Sequence, residues 1–306
     1  MEYKLLVLGG SGFIGSHVAQ RGINNGYETY VVCRTLPEKR KIIKGVKYIN
    51  WDISDKNNMG ILSKINFNFI VNLSGCIDHS SFFKSGKELI DVHFSSLVNL
   101  VSFIRKDNLL RFVQIGSSDE YGNNTAPQNE AQIEKPFSPY SFAKSASTNF
   151  IKYLFETENF PGTILRPFII YGPGQKRDRL IPYVINKSLN NETFEVSSGE
   201  QIRDFLHVDD AVDAIFLSFK KDSVNGKIIN LGSGYPRSVR SVIQFIVEEI
   251  SLGKPLYCDF KKRKGENIEL YPNLELAKKI LNWESKINFE LGLKNLINYY
   301  KTLGEC

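Results

Sequence analysis

Apolar and polar positions along this chain keep changing period. Short, nearly continuous apolar runs alternate with stretches whose apolar residues recur every three or four positions. The runs at 4–8 (Lys4-Leu5-Leu6-Val7-Leu8), 28–32, 46–50, 69–73, 111–115, 162–166 and 227–231 predict strands buried on both faces. The stretches at 12–25, 86–107 and 140–158 predict helices between them. That alternation predicts an α/β fold, a Rossmann-like doubly wound parallel sheet with helices on both faces. Beyond Pro167 the pattern loosens into Gly-Pro turns, short helices and isolated strands, although 208–231 reads as one more helix–strand pair of the sheet. The expected division is 1–171 plus 206–231 for the sheet domain, and 172–205 plus 232–306 for a smaller, discontinuous domain. A ligand would lie in the cleft between them.

The first strand runs straight into Gly9-Gly10-Ser11-Gly12-Phe13-Ile14-Gly15, and a helix opens at once. Glycines there let the backbone turn sharply and approach a pyrophosphate, while the helix N-terminus offers free N–H groups to the anion. The second strand ends Val32-Cys33-Arg34-Thr35. A dinucleotide site for NAD would carry an acid at about Cys33 to bond the ribose hydroxyls, whereas an arginine accommodates the 2′-phosphate of NADP. The missing acid and the adjacent Arg34 together predict NADP, or NADPH, as cofactor.

Tyr140-Ser141-Phe142-Ala143-Lys144 places a phenol and an ammonium four apart, on one face of a predicted helix. A free tyrosine titrates near pH 10. A neighbouring ammonium favours the phenolate and brings proton transfer within reach at neutral pH.

The three-residue steps of Gly9, Gly12 and Gly15, followed by Tyr140 and Lys144, resemble the short-chain dehydrogenase/reductase superfamily. The run Gly-Gly-Ser-Gly-Phe-Ile-Gly-Ser-His resembles its extended branch, the NAD(P)-dependent epimerase/dehydratase family, which acts mostly on nucleotide sugars. Further segments match that family: Gly116-Ser117-Ser118-Asp119-Glu120-Tyr121-Gly122, Leu165 to Gln175, Gln201 to Asp210, Asn230 to Gly234, and Lys264-Gly265-Glu266. Counting back from Tyr121-Gly122 puts the catalytic hydroxyl on Ser117, with Ser118 a close rival. The resemblance implies a catalytic set of Ser117, Tyr140 and Lys144. It implies that Ser11, Phe13 and Ile14 with the three glycines hold the cofactor's phosphates. Asp52 and Ile53 would flank adenine, Leu73-Ser74-Gly75 would pass the phosphates and ribose, and Pro167, Tyr140 and Lys144 would complete the nicotinamide end. For the substrate it implies Ser118, Asp119, Ile169, Gln175, Arg203 and Arg263, the arginines as a diphosphate clamp. Arg203 has the alternative of a salt bridge to Asp204 or Asp209, and Arg263 that of a solvated basic loop, Lys261-Lys262-Arg263-Lys264.

Within the family the wording is nearest to CDP-abequose, CDP-paratose and dTDP-fucose synthases. That implies NADPH-dependent reduction of the C4 ketone of a nucleotide-diphospho-4-keto-6-deoxyhexose, as in bacterial deoxysugar and surface-polysaccharide synthesis. An NDP-sugar 4-epimerase or a 4,6-dehydratase is the alternative, the latter prompted by Asp119-Glu120. A non-catalytic NADP sensor has no need of the full Ser/Tyr/Lys set. Relatives commonly pair through two long helices, so a homodimer through 86–107 and 140–158 is expected, with Phe94, Leu97, Phe103, Phe150, Tyr153 and Leu154 as core or interface.

Composition narrows the remaining classes. The 306 residues are 42 % hydrophobic with a net charge of +6. No dense Lys/Arg stripe with interleaved aromatics suggests nucleic acid, and no apolar run reaches membrane-span length. The four cysteines are scattered without metal-ligand spacing. That predicts a reducing cytoplasm and no metal.

Overall fold

The computed structural model describes residues 3–55, 60, 62–259 and 267–303. The chain opens with β1 (Lys4–Leu8), α1 (Phe13–Asn24), β2 (Glu28–Cys33), β3 (Lys47–Asn50) and β4 (Phe69–Asn72). Next come α2 (Lys87–Ile90), α3 (Ser96–Phe103), β5 (Arg111–Ile115), α4 (Pro139–Glu158), β6 (Gly162–Pro167) and β7 (Ile169–Tyr171). Then follow α5 (Leu180–Leu189), β8 (Thr193–Ser197), β9 (Ile202–Arg203), β10 (Phe205–His207), α6 (Val208–Ser218) and β11 (Ile228–Leu231). The described elements end with β12 (Arg237–Ser238), α7 (Val239–Ile250), β13 (Lys254–Cys258), β14 (Glu269–Leu270) and α8 (Phe289–Thr302).

Seven strands form one parallel sheet in the order β11-β6-β5-β4-β1-β2-β3. The order reverses between β1 and β4, where Leu6 pairs with Tyr30 on one side and Ile70 on the other. In such sheets ligands bind beyond the carboxyl ends of the strands at the reversal. The turns that leave β1 and β4 there are the glycine loop and Leu73-Ser74-Gly75. The apolar runs account for the burial: Leu5 and Val7 face one core with Val18, Val113 and Leu165, while Leu6 and Leu8 face the opposite core with Ile70, Leu97 and Phe112. Side chains alternate along a strand, so each strand feeds both cores and the sheet is covered on both faces.

The expected strands and helices are present to within a residue or two, apart from 86–107. That stretch stops at Phe103 and is built in pieces, with π-helical turns at Phe82–Gly86 and Asp91–Ser95 around α2. The polar continuation from Arg105 does not coil, because Ile104 before it already has extended backbone (ψ 143°).

Downstream of β6 a third core gathers α5, α7 and α8 around Tyr171, Phe205, Ile243 and Leu293. Three small sheets accompany it: β7 with β10, β8 with β13, and β12-β9-β14. The segment between β14 and α8 does not stay with that core. Ala277, Leu281 and Trp283 join Ala211, Val212 and Ile215 of α6 in the first core, and Trp283 Nε1 donates to Asp210 O at 3.1 Å.

Candidate active site

The glycine loop is tied down by its own backbone. Gly9, at φ +73°, donates to Val32 O, and Gly12 N donates back to Gly9 O at 3.0 Å. A side chain on Gly15 would come within 2.6 Å of Gly10 Cα, so helix α1 can approach the turn only with glycine there. Gly12 caps α1 without a side-chain acceptor, which leaves first-turn N–H groups for a ligand. Ser11 bonds the buried Cys33 thiol, whose pKa burial pushes up. Arg34 is exposed at the end of β2. Hydrogen bonds from Ser54, and more weakly the Arg34 charge, hold the Asp52 carboxyl below its usual range. The glycine loop, Cys33, Arg34, Asp52 and the exposed Gly75 thus line the expected path of a dinucleotide, and the residues fit one.

The serine loop follows β5 at the same end of the sheet. Ser117 caps a short 3₁₀ turn: its Oγ accepts from Asp119 N at 3.2 Å, and its N–H donates to Glu120 Oε1 at 2.7 Å. The hydroxyl bonded to Tyr140 is that of Ser117; Ser118 is buried. The expected acidic pair is split. Asp119 lies toward the Tyr140 side, close enough for its charge to act on the phenol. Glu120 turns inward, fully buried, where Oε2 accepts from Thr148 Oγ1 at 2.7 Å and Arg166 Nη2 at 2.6 Å. It is not placed to reach a substrate.

Tyr140 and Lys144 lie on α4, which Ser138 caps through a reciprocal pair of bonds with Ser141, with Pro139 in the first turn. Lys144 does not act on the phenol as the spacing alone suggests. Its Nζ donates to Ile115 O at 2.9 Å and stands 6.0 Å from the Tyr140 ring centre. Burial pushes Lys144 down to about 8. Tyr140 moves the other way: burial and then Asp119 raise its pKa, and the Ser117 bond offsets only part of this. The phenol is therefore held neutral.

Three groups that sequence reasoning missed stand around Tyr140. The His79 and His93 rings pack against its ring edge to face, at 5.7 and 5.1 Å. His79 Nε2 is also 3.7 Å from Asp119 Oδ2. Arg179 and His79 line a polar cavity of about 440 Å³ with Asp78, Ser80 and Asp178. These residues come from loops far apart in sequence, and no spacing rule marks them.

The expected substrate residues are dispersed. Arg203 Nη1 donates to Ile202 O and Ile268 O at 2.9 and 3.0 Å. Asp204 instead accepts from Ser233 N and Gly234 N, and Asp209 pairs with His17 and His207. Gln175 Nε2 donates to Ile170 O at 2.9 Å, and Ile169, half-buried, begins β7. Pro167 closes β6. Arg263, with the run 261–264, lies outside the described residues. Among the described residues no cluster of three His, Cys, Asp or Glu could hold a metal, and no helix is long and apolar enough to cross a membrane.

A glycine cradle at the sheet's reversal point, with serine, tyrosine and lysine gathered beside it, defines a nucleotide-dependent enzyme of short-chain dehydrogenase type. The chain belongs to the NAD dependent epimerase/dehydratase family, whose model matches residues 5–232. It is 28 % identical to a putative UDP-glucose 4-epimerase of Methanocaldococcus jannaschii, over 97 % of this chain and 98 % of that one. It is 26 % identical to the dTDP-D-glucose 4,6-dehydratase of Homo sapiens, over 97 % and 90 %. Among solved structures it resembles MoeE5 in complex with UDP-glucuronic acid and NAD, at a TM-score of 0.88 and 25 % identity, covering 98 % and 99 % of the two chains.

Proposed function

We propose that this protein is a nucleotide-sugar 4-epimerase. The observation that carries the reading is the withdrawal of Glu120 into a buried ion pair, which leaves the Ser117, Tyr140 and Lys144 set with Asp119 alone of the loop's two acids. Dehydration calls for acid–base groups beyond the tyrosine, and of the two acids in this loop only Asp119 faces the site. The name of the M. jannaschii relative favours epimerisation over the reduction that the wording of the sequence suggests.

The glycine loop and Lys144 would hold a dinucleotide, which would supply reversible hydride acceptance at the sugar's C4. The remaining work falls to the chain. Tyr140, once its own proton has passed to solvent, would receive the O4 proton as C4 becomes a ketone and give it back when C4 is reduced. Ser117 bonds the same oxygen and stabilises charge developing there. Lys144 would hold the ribose through its ammonium. Arg203 and Gln175 would meet the nucleotide diphosphate from the smaller domain, across the cleft, whereas Ile169 offers no donor to it.

Net NADPH-dependent reduction of a 4-keto-6-deoxy sugar is the second reading. It is favoured by Arg34 at the end of β2, where no acid stands to bond a ribose. NADP is the proposed cofactor on the same ground, and a homodimer the proposed assembly. The test is incubation with UDP-glucose and with a nucleotide-4-keto-6-deoxyhexose, each with NAD, NADP and NADPH, followed by absorbance and by NMR of the sugar. Interconversion of the C4 epimers without dinucleotide turnover is the expected result. Stoichiometric NADPH consumption on the keto sugar alone would establish the second reading instead, and no change with either sugar would overturn both.

A further inference from the structure

His93 is buried at the centre of the site, and neither the proposed chemistry nor the sequence motifs use it. It stands on the π-helical turn Asp91–Ser95 between α2 and α3; such turns recur at functional positions. Its Nε2 lies 2.8 Å from Cys76 O. A carbonyl only accepts, so Nε2 carries the hydrogen and Nδ1 is left as a bare acceptor. Nδ1 is buried and has no hydrogen-bond partner among the described residues. Burial, then the Lys144 charge, pushes the imidazole down to about 3, which keeps that acceptor unprotonated over the working range.

The surroundings narrow what donor fits. The ring lies beneath Gly75, at φ +121°, so closely that a side chain on Gly75 would overlap it, and Cε1 and Nδ1 are the atoms it would meet first. Gly75 and Cys76 are exposed. The His93 carbonyl accepts from Ser147 Oγ at 3.0 Å, which fastens the same turn to α4 between Lys144 and Thr148. The Lys144 ammonium, near enough for its charge to act on the ring, only donates, and Nδ1 only accepts. A group that bridges the two must both accept and donate, which is the chemistry of a hydroxyl.

We propose that His93 is a cofactor-binding residue whose Nδ1 accepts a hydrogen bond from a hydroxyl of the dinucleotide's nicotinamide-side ribose, the same hydroxyl that Lys144 holds. This rests on the reading above that a dinucleotide passes Gly75 and Lys144. The edge-to-face contact with Tyr140 then ties the position of the phenol to that of the bound ribose.

Two substitutions separate the nitrogens. In His93→Gln the amide N–H reaches Cys76 O but nothing replaces Nδ1. In His93→Asn the amide oxygen takes the place of Nδ1 but Cys76 O is lost. Calorimetric titration with NAD, NADP and ADP reads binding without turnover; ADP lacks the second ribose. His93→Gln should weaken the dinucleotide about fivefold or more, the effect of one neutral hydrogen bond, and leave ADP unchanged. His93→Asn should stay within about twofold of wild type. Equal losses in the two variants, no loss in His93→Gln, or a matching loss for ADP would overturn the proposal. Wild-type protein titrated with analogues lacking the 2′- or the 3′-hydroxyl of that ribose supplies the same test if a variant fails to fold; undiminished binding of both analogues overturns it. Failure of the wild type to bind either dinucleotide would overturn the parent reading as well, whereas a loss-free His93→Gln overturns this one alone.

Discussion

The Glu120 carboxylate and the Arg166 guanidinium face each other at 2.6 Å, and neither side chain is exposed to solvent. Arg166 also bonds Glu134 at 2.9 Å and stacks over Tyr121, 4.4 Å from the ring centre. Glu120 in turn holds Ser117 N and Thr148, so one carboxylate joins the serine loop to the helix that carries Tyr140. Removing one partner of a buried pair leaves the other charge uncompensated, at a cost of about 3–5 kcal/mol. Glu120→Ala should therefore lower unfolding free energy by about that much in urea titration. Glu120→Gln, which keeps acceptor and shape, should lose less. Unchanged denaturation midpoints in both would mean that the pair does not organise the loop.

Tyr140→Phe should leave the fold and dinucleotide binding intact and lower turnover by about 10²-fold or more, the scale of lost general acid–base catalysis. Steady-state kinetics beside a cofactor titration checks this. Near-wild-type turnover would remove the phenol from the chemistry.

Lys144 makes activity and stability move in opposite directions with pH. Its ordinary value of 10.5 falls to about 8 in the folded chain. Above pH 8 the folded protein loses the ammonium that the proposed mechanism uses, so kcat/KM should decline from there. Between about 8 and 10.5 the unfolded chain still binds a proton that the folded chain has released, so this group's contribution to stability rises with pH. A Lys144→Met variant should lose both trends. A kcat/KM profile flat from about pH 7 to 10 would contradict the assignment.

Arg34→Ala should weaken NADPH by about one to two decades, the loss of paired, charge-assisted hydrogen bonds to a 2′-phosphate. NADH, which lacks the phosphate, should bind as before. Calorimetry with both cofactors decides it. A wild type that prefers NADH, in line with the NAD found in MoeE5, would remove the case for net reduction.

Val98, Phe142 and Tyr153 are exposed on α3 and α4 at 37, 52 and 54 %, and Phe103 at 42 %. Leu97 and Leu154 are buried in the sheet's core, and Phe94 packs on Phe150 at 6.1 Å. The expected dimer would therefore use the first group of residues, with Leu97 and Leu154 serving the core. Light scattering should give a dimer at micromolar concentration, and Phe142→Lys with Tyr153→Lys should give a monomer. A wild-type monomer would end the proposal.

What could be read from the sequence depended on the range of the interaction. The strands, α1 and α4 were legible because their apolar period is local, and the glycine loop because Gly12 and Gly15 close on Gly9 and Gly10 within one turn. Tyr140 and Lys144 were legible as a helical pair. Their electrostatics were not, because burial, opposed by the charge of the distant Glu120, sets the state of Lys144. Asp119 and Glu120 look equivalent in sequence; Arg166 and Thr148, distant along the chain, send one inward and leave the other toward the site. His79, His93 and Arg179 carry no periodic or motif signal, and only the packing of two loops and a π-helical turn around Tyr140 brings them together.

Trp283 has a consequence for how the molecule can come apart. Its ring completes a core whose other members lie mostly in the first 231 residues, and the nearby backbone N–H groups of Lys286 and Ile287 both donate to Asp210 Oδ2, at 3.1 and 3.0 Å. A polypeptide cut short after β11 would leave that patch of α6 bare and the Asp210 carboxylate without these donors. The sheet domain is thus not a detachable module to which a smaller domain has been appended. The tail is part of its wall, and the two halves should melt in a single cooperative transition.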